Sequence, residues 1–317
     1  MTTTYRAEWL LPITAPPVRN GAVAVEGDRI VAAGSFDDVR AACPDAATVD
    51  FDQAVLMPGF VNAHSHLEYT SFRGLFDDEQ FGDWIISLVD VKASLTPDEY
   101  LWSARLGALE ALASGVTTVA DTTYTGETIT AAAEAGLRGV AYLEVFGIDD
   151  KCLDGTMADL EERLARAQTM ASPRLEIGIA PHAPYTVSSR LFQTLASYAR
   201  ERRMKVASHV AESTEEVTYI RSGSGKFAHD YREKMGWERM LIQPYGVSPI
   251  KYLQQWGVFD ENFLAVHCVH ASSDDIRILK AKHAAGLSVP KPTRTPWRSR
   301  SGSGAMPQPV LALLLGQ

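Results

Sequence analysis

The chain has 317 residues, 46% of them hydrophobic and 22% charged, and a formal net charge of -9 at pH 7. That length and balance suit a globular chain with one large domain, or a large domain with a small companion, and they argue against nucleic-acid or anionic-membrane surfaces. Apolar runs fall short of the ~20 residues of a membrane span. The three cysteines, Cys43, Cys152 and Cys268, form neither a disulfide framework nor a CxxC zinc knuckle.

The opening stretch, "MTTTYRAEWLLPIT", lacks the basic start and apolar core of a signal peptide. With the scattered thiols, this predicts a cytoplasmic location. "GAVAVEGDRIVAAG" reads as two strands around a turn at Gly27-Asp28. From Leu56 onward, short apolar strands alternate with longer amphipathic stretches. The strands are "FVNAH", "GVTTVAD", "RGVAYLEVFG", "LEIGIAPHAP", "KVASHVAE" and "FLAVHCVH". Near-continuous hydrophobicity of this kind belongs to parallel strands covered on both faces. Thr96 is predicted as an N-cap, with Pro97 in the first turn and Glu99 closing a capping box; that helix stops at Gly115. "SSRLFQTLASYARERR" and "SSDDIRILKAKHAAG" read as further helices. The alternation predicts an α/β fold, a (β/α)8 TIM-type barrel, with six strands and the start of a seventh at "GLSV". The last stretch, "PKPTRTPWRSRSGSGAMPQPVLALLLGQ", carries neither period and has the composition of a linker or disordered tail.

Residues i and i+2 of a strand share a face, so His64 and His66 converge at the end of "FVNAHSH". His182, His209 and His267 each close another apolar run, where the polar mouth of a barrel begins. One such histidine is ordinary packing; four strand ends with the same residue type point to a shared metal pocket. Glu212 lies three residues past His209 and can supply a proton-carrying carboxylate, or simply sit favourably at a helix N-terminus. Glu215 and Glu216 read as exposed first-turn charges, and His229 and His283 as solvated. "GSGK" lacks the spacing of a phosphate loop, and neither a GxSxG elbow nor a cytidine-deaminase PCxxC signature occurs.

"MPGFVNAHSHLE", "GVTTVADT", "HVAES" and "AVHCVH" together resemble the amidohydrolase superfamily, in its metal-dependent deaminase and chlorohydrolase branch. The resemblance implies that residues 1–56 are the N-terminal part of a small β-sandwich domain and that residues 57–289 are the hydrolase barrel. It implies His64, His66 and His209 as ligands of one divalent metal, zinc or alternatively iron. Glu212 is implied as the proton carrier, His267 as the residue orienting the hydrolytic water, and His182 as a substrate contact. With no lysine ending the fourth barrel strand, a two-metal carbamate bridge is not expected. The implied reaction is hydrolytic deamination of an aminopurine nucleoside or related heterocycle. The alternatives are release of another leaving group, such as chloride, or a non-catalytic vestigial protein. "EYTSFRGLFDDEQFGDWIISL", "YLEVFG" and "YGVSPIKYLQQWG" are most similar to the aminofutalosine deaminase-like members, which nominates Arg73, Trp84 and Glu144 for the substrate pocket. The expected partner is a small-molecule substrate, with no nucleic acid or membrane and with a homodimer left open.

The pattern departs from the family after "AKHAAGLSV". The aspartate that the resemblance places at the end of an eighth strand has no counterpart, since Asp275 is the last acidic residue. Residues 290–317 are therefore read as an atypical tail, with a frame shift near Ala285 to Pro290. An incomplete barrel with weak activity is the expectation.

Overall fold

The structure, a computed structural model, describes residues 1–76 and 79–288, in two compact units that divide after Phe60. The unusual tail lies outside the described residues, and the units divide four residues later than the sequence suggests. No helix among the described residues is long and apolar enough to cross a membrane.

The first unit holds β1 (Thr2–Leu10), β2 (Val18–Glu26), β3 (Arg29–Ser35), helix α1 (Phe36–Ala42), β4 (Ala47–Asp50) and β5 (Val55–Leu56). Gly27 and Asp28 join β2 to β3, and Gly27 takes the φ of +61° that the tight turn needs. The sheet order is β3-β2-β1-β4, and β5 continues beside β1. The central strand β1 went unread in the sequence because its buried positions, Thr4, Ala7 and Leu10, recur every third residue and break the alternation expected of a strand. Ser35 caps α1 by accepting from Asp38 N, which presses Val39 onto Ala22 and Ala24.

The second unit is built on seven strands hydrogen-bonded in chain order: β6 (Phe60–Ser65), β7 (Val116–Thr123), β8 (Arg138–Val145), β9 (Leu175–Pro181), β10 (Val206–Val210), β11 (Phe263–His267) and β12 (Ala285–Ser288). These are the six apolar runs and the predicted seventh, and the registered pairs run parallel. Around them lie α2 (Phe81–Ser94), α3 (Pro97–Ala113), α4 (Glu127–Glu134), α5 (Leu153–Met170), α6 (Ser189–Arg202), α7 (Thr214–Ser222), α8 (Asp230–Lys234), α9 (Pro249–Gln255) and α10 (Ser273–Ala281). Both reciprocal bonds of the Thr96–Glu99 capping box are formed at α3, and Ser272 with Asp275 makes a second box at α10. The layer between sheet and helices is filled by Ile129, Leu143, Leu160, Ile179, Phe192, Leu195 and Phe263. A smaller inner cluster packs Tyr142 against Ala180, Ala207 and Val266. A Cβ on Gly178 would stand 2.6 Å from the Tyr142 ring, so this strand position has room for glycine alone.

Parallel register fixes where the chemistry goes. Glu144 pairs with Ala180, His209 with Val266 and Val210 with His267, so the C-terminal ends of the strands come level. That is the end of an α/β barrel where functional side chains gather.

Candidate metal centre and active site

Four strand ends deliver imidazoles to one place. The ring of His64 lies 4.9 Å from that of His66, 5.1 Å from His209 and 5.0 Å from His267, and His182 lies 5.0 Å from His209. Nitrogens of His64, His66 and His209 all lie within 4.8 Å of one another, and Nε2 of His66 is 3.2 Å from Nε2 of His209. Burial lowers the pKa of all three, and for His64 and His66 the neighbouring imidazoles add to it, so neutral rings are favoured. His209 Nδ1 donates to the carbonyl of His182 at 3.0 Å, which leaves its Nε2 with a free lone pair. The 3.2 Å between the His66 and His209 nitrogens is close to the ~3.3 Å donor spacing of a tetrahedral ion bound at ~2.0–2.1 Å, and His64 stands beside them. The residues fit a divalent metal.

His182 is oriented in the same manner. Its Nδ1 lies 2.7 Å from Thr186 Oγ1, whose own hydroxyl donates to Ala183 O at 3.2 Å. His182 is thus the donor in that pair, and its Nε2 is left as an acceptor 3.9 Å from Glu144 Oε1.

Glu212 Oε1 stands 3.3 Å from His267 Nε2. Burial, and then the Glu216 charge, push the Glu212 carboxyl up to about 8, while burial and then His209 push His267 down to about 3. Near neutral pH this contact is therefore a protonated carboxyl against a neutral imidazole. One expectation fails here. Glu216 is not a solvated first-turn charge but is fully buried, because its carboxylate folds back to accept from Ala211 N at 2.9 Å and Glu212 N at 2.8 Å. His229 and His283 are exposed, in line with the sequence reading.

Two buried carboxylates that sequence reasoning passed over brace the histidine pair. Asp121, at the end of β7, accepts from Ser65 Oγ and from Leu67 N, both at 2.8 Å, on either side of His66. Glu68 accepts from Thr123 Oγ1 at 2.9 Å, Thr125 Oγ1 at 2.6 Å and the backbone of Tyr124, tying the turn after β6 to the turn after β7. Asp121 closes "GVTTVAD" as the histidines close their strands, and that was the available signal.

The cluster opens into a cavity of about 450 Å³. One face of α2 lines it with Phe81, Trp84, Leu88 and Lys92, positions three to four apart as helical periodicity requires. His182, Glu144 and Trp84 all face this cavity, as nominated. Arg73 does not. It follows the short helical turn Leu67–Phe72, and its guanidinium grips Glu110 on α3 with two bonds, of 3.2 and 2.5 Å, on the surface. Lys92 is a lining residue that the sequence did not flag. Its ammonium sits 3.9 Å from the centre of the Tyr124 ring and 3.7 Å from Glu144 Oε2.

The profile of the amidohydrolase family matches residues 55–308, and a bacterial imidazolonepropionase-like composite domain matches residues 21–46. A 5-methylthioadenosine/S-adenosylhomocysteine deaminase of Pelotomaculum thermopropionicum is 30% identical over 278 residues, which cover 86% of this chain and 58% of the relative. The chain thus spans less than two thirds of that protein. Helicobacter pylori aminofutalosine deaminase, solved with methylthio-coformycin, superposes with a TM-score of 0.77 at 20% identity, over 90% of this chain and 69% of that one. An adenosine deaminase from Xanthomonas campestris with bound zinc gives 0.71 at 24% identity, over 91% and 62%. Both structures share the fold. A family match running through most of the chain, on a barrel whose strand ends meet in one histidine cluster, makes this protein a member of the amidohydrolase family.

Proposed function

We propose that this protein is a metal-dependent hydrolytic deaminase of an adenosine-type nucleoside, releasing ammonia, with an aminofutalosine-like compound as the favoured substrate. The observation that carries the reading is the Glu212–His267 contact of 3.3 Å beside three convergent imidazoles in an aromatic-lined cavity. His64, His66 and His209 are the residues to hold a divalent cation, zinc or iron. When bound, such a cation supplies the Lewis acidity that makes water a nucleophile near neutral pH. Glu212, protonated near neutral pH, gives its proton to the ring nitrogen beside the carbon under attack and regains one from the attacking water; the second proton of that water passes to the exocyclic amine, which departs as ammonia. His267, neutral, orients the water. His182 Nε2 and Glu144 face the cavity as acceptors for donor groups of the substrate, and Trp84 offers a flat face to its rings. The deaminase names of the relatives support the nucleoside class.

Metal analysis of the purified chain, followed by an ammonia assay across adenosine, 5'-deoxyadenosine, methylthioadenosine, S-adenosylhomocysteine and aminofutalosine, tests this. Turnover of at least one, abolished by chelation and restored by zinc or iron, is expected. Chloride release from a triazine without any ammonia would replace the reading with a chlorohydrolase. Ligand binding without turnover would replace it with a non-catalytic binding protein.

A further inference from the structure

We propose that Glu216, a residue outside the catalytic set, is the positioning residue that holds the Glu212 carboxyl against His267. The inference rests on Glu212 being the proton carrier. Three observations lead to it.

The first is the loop. Between β10 and α7 the chain turns within three residues, and Ala211 takes a φ of +53°, a left-handed conformation that is strained for a residue with a Cβ. The second is the clamp. The two Glu216 oxygens each accept one backbone N–H from that turn, Ala211 at 2.9 Å and Glu212 at 2.8 Å, while the Glu216 N–H donates to Ser213 Oγ at 3.2 Å. The third is the far side of the loop. His270 N donates to Ala211 O at 2.9 Å and Cys268 N to Val210 O at 3.0 Å, which joins the ends of β10 and β11. With both sides tied, the Glu212 backbone is held where its carboxyl reaches to 3.3 Å from His267. A carboxylate suits this position because it sets one acceptor oxygen before each N–H, whereas an amide in the same place would turn its NH2 toward one of them.

The same charge also acts on Glu212 directly, as the second cause after burial of its raised pKa. The other titratable groups around this pair are His267 and Cys268 at the end of β11 and Tyr185 after β9. None of these is an anion at neutral pH, because burial raises the thiol and the phenol and lowers the imidazole. Glu216 is itself pushed up by burial to about 7, against the backbone N–H bonds that favour its charge, and as it ionises it becomes the negative charge that Glu212 feels.

The test compares Glu216→Gln, Glu216→Asp and Glu212→Gln in the full chain. Gln presents an NH2 to a backbone N–H and removes the charge; Asp keeps the charge and shortens the arm. In both Glu216 variants kcat falls about 10- to 100-fold, the scale of a misplaced catalytic group, with KM little changed. A pH titration by infrared difference spectroscopy follows the protonated-carboxyl band that Glu212→Gln removes. Its midpoint moves to lower pH in Glu216→Gln and stays near the wild-type value in Glu216→Asp. A merely structural residue would lower thermal stability and leave the midpoint in place, and an unmoved midpoint in Glu216→Gln overturns the proposal. Wild-type kcat in both variants overturns it equally. If Glu216→Gln does not fold, wild-type kcat in Glu216→Asp, or a reduced kcat accompanied by lowered thermal stability, is the overturning result, and a reduced kcat at wild-type thermal stability and an unchanged midpoint is the supporting one. If the wild type releases no ammonia from any aminopurine, the deaminase reading falls, while the infrared midpoints still decide whether Glu216 governs Glu212.

Discussion

Glu212 is expected to cost the fold stability in exchange for function, and Glu212→Gln isolates that cost. Burial, reinforced by Glu216, raises the native carboxyl from 4.5 to about 8. A carboxyl raised in the native state contributes fully below its unfolded value, because both states then hold the proton. Between pH 4.5 and pH 8 the unfolded chain releases that proton and the native one keeps it, so stability drains away as pH rises. At ~1.4 kcal/mol for each pH unit, the loss is about 3 kcal/mol by pH 7. Glutamine has the same shape and no charge to bury. In chelator-treated protein, Glu212→Gln should match wild type at pH 4.5 and exceed it by ~2–3 kcal/mol at pH 7. That corresponds to a gain of ~3–5 °C in Tm for a chain of this size. Scanning calorimetry across that pH range measures it, and comparison of two proteins that differ at one site cancels the histidine titrations. The metal-loaded variant should lose about 10²–10⁴ in kcat, the usual worth of a positioned proton carrier. A difference in stability that does not change between pH 4.5 and pH 8 would show that Glu212 is not buried as an acid, and the reasoning would fail.

Three further outcomes follow from the same contacts. Replacing His66 or His209 by Ala removes one of two nitrogens 3.2 Å apart and should leave purified protein with only traces of divalent metal; full metal content by mass spectrometry would contradict the ligand assignment. Asp121→Ala strands the donors of Ser65 and Leu67, for a loss of about 2–4 kcal/mol in denaturant unfolding and ~10–100-fold weaker metal retention. Asp121→Asn keeps an acceptor and should lose less than half as much by both measures. Lys92→Met leaves the buried Glu144 carboxylate without its cation, a cost of about 3 kcal/mol near neutral pH; adding Glu144→Gln should recover much of it, and a strictly additive double mutant would show that the two do not interact.

Most of the barrel was legible because its strands are buried on both faces and therefore read as unbroken apolar runs bounded by helices. The histidines were legible for a related reason, since a polar residue closing an apolar run marks the place where a buried strand meets its pocket. Glu216 was misread because Asp and Glu are favoured in the first turn of any helix, and sequence alone does not tell a carboxylate facing water from one folded back onto its own loop. Arg73 was misread for the opposite reason. It lies in a stretch of family likeness, yet the turn after Leu67 sends it outward to Glu110, a residue 37 positions away that no local pattern connects to it. Lys92 escaped notice because an i, i+4, i+8 apolar face at Trp84 and Leu88 carries no mark that its next member is a cation.

What spacing could not convey is the strain at the strand ends. Ala211, His267 and Cys268 all take positive φ, at +53°, +74° and +52°, although none is glycine. Each departure costs on the order of 1–2 kcal/mol, and the three cluster where β10 and β11 release Glu212 and His267. An unstrained continuation of either strand would keep alternating its side chains between the faces of the sheet. The left-handed step lets the chain turn away at once, so that Glu212 and His267, from different strands, come within 3.3 Å. The bonds from Glu216, Cys268 and His270 to this corner are what hold it in that state. A glycine at Ala211 would remove the strain without touching any side chain in the site. It would also loosen the corner in the native state as in the unfolded one, so relief of strain and loss of rigidity oppose each other there. The alanine is therefore consistent with a loop selected to keep one geometry, with Glu212 fixed where a proton has to be handed over.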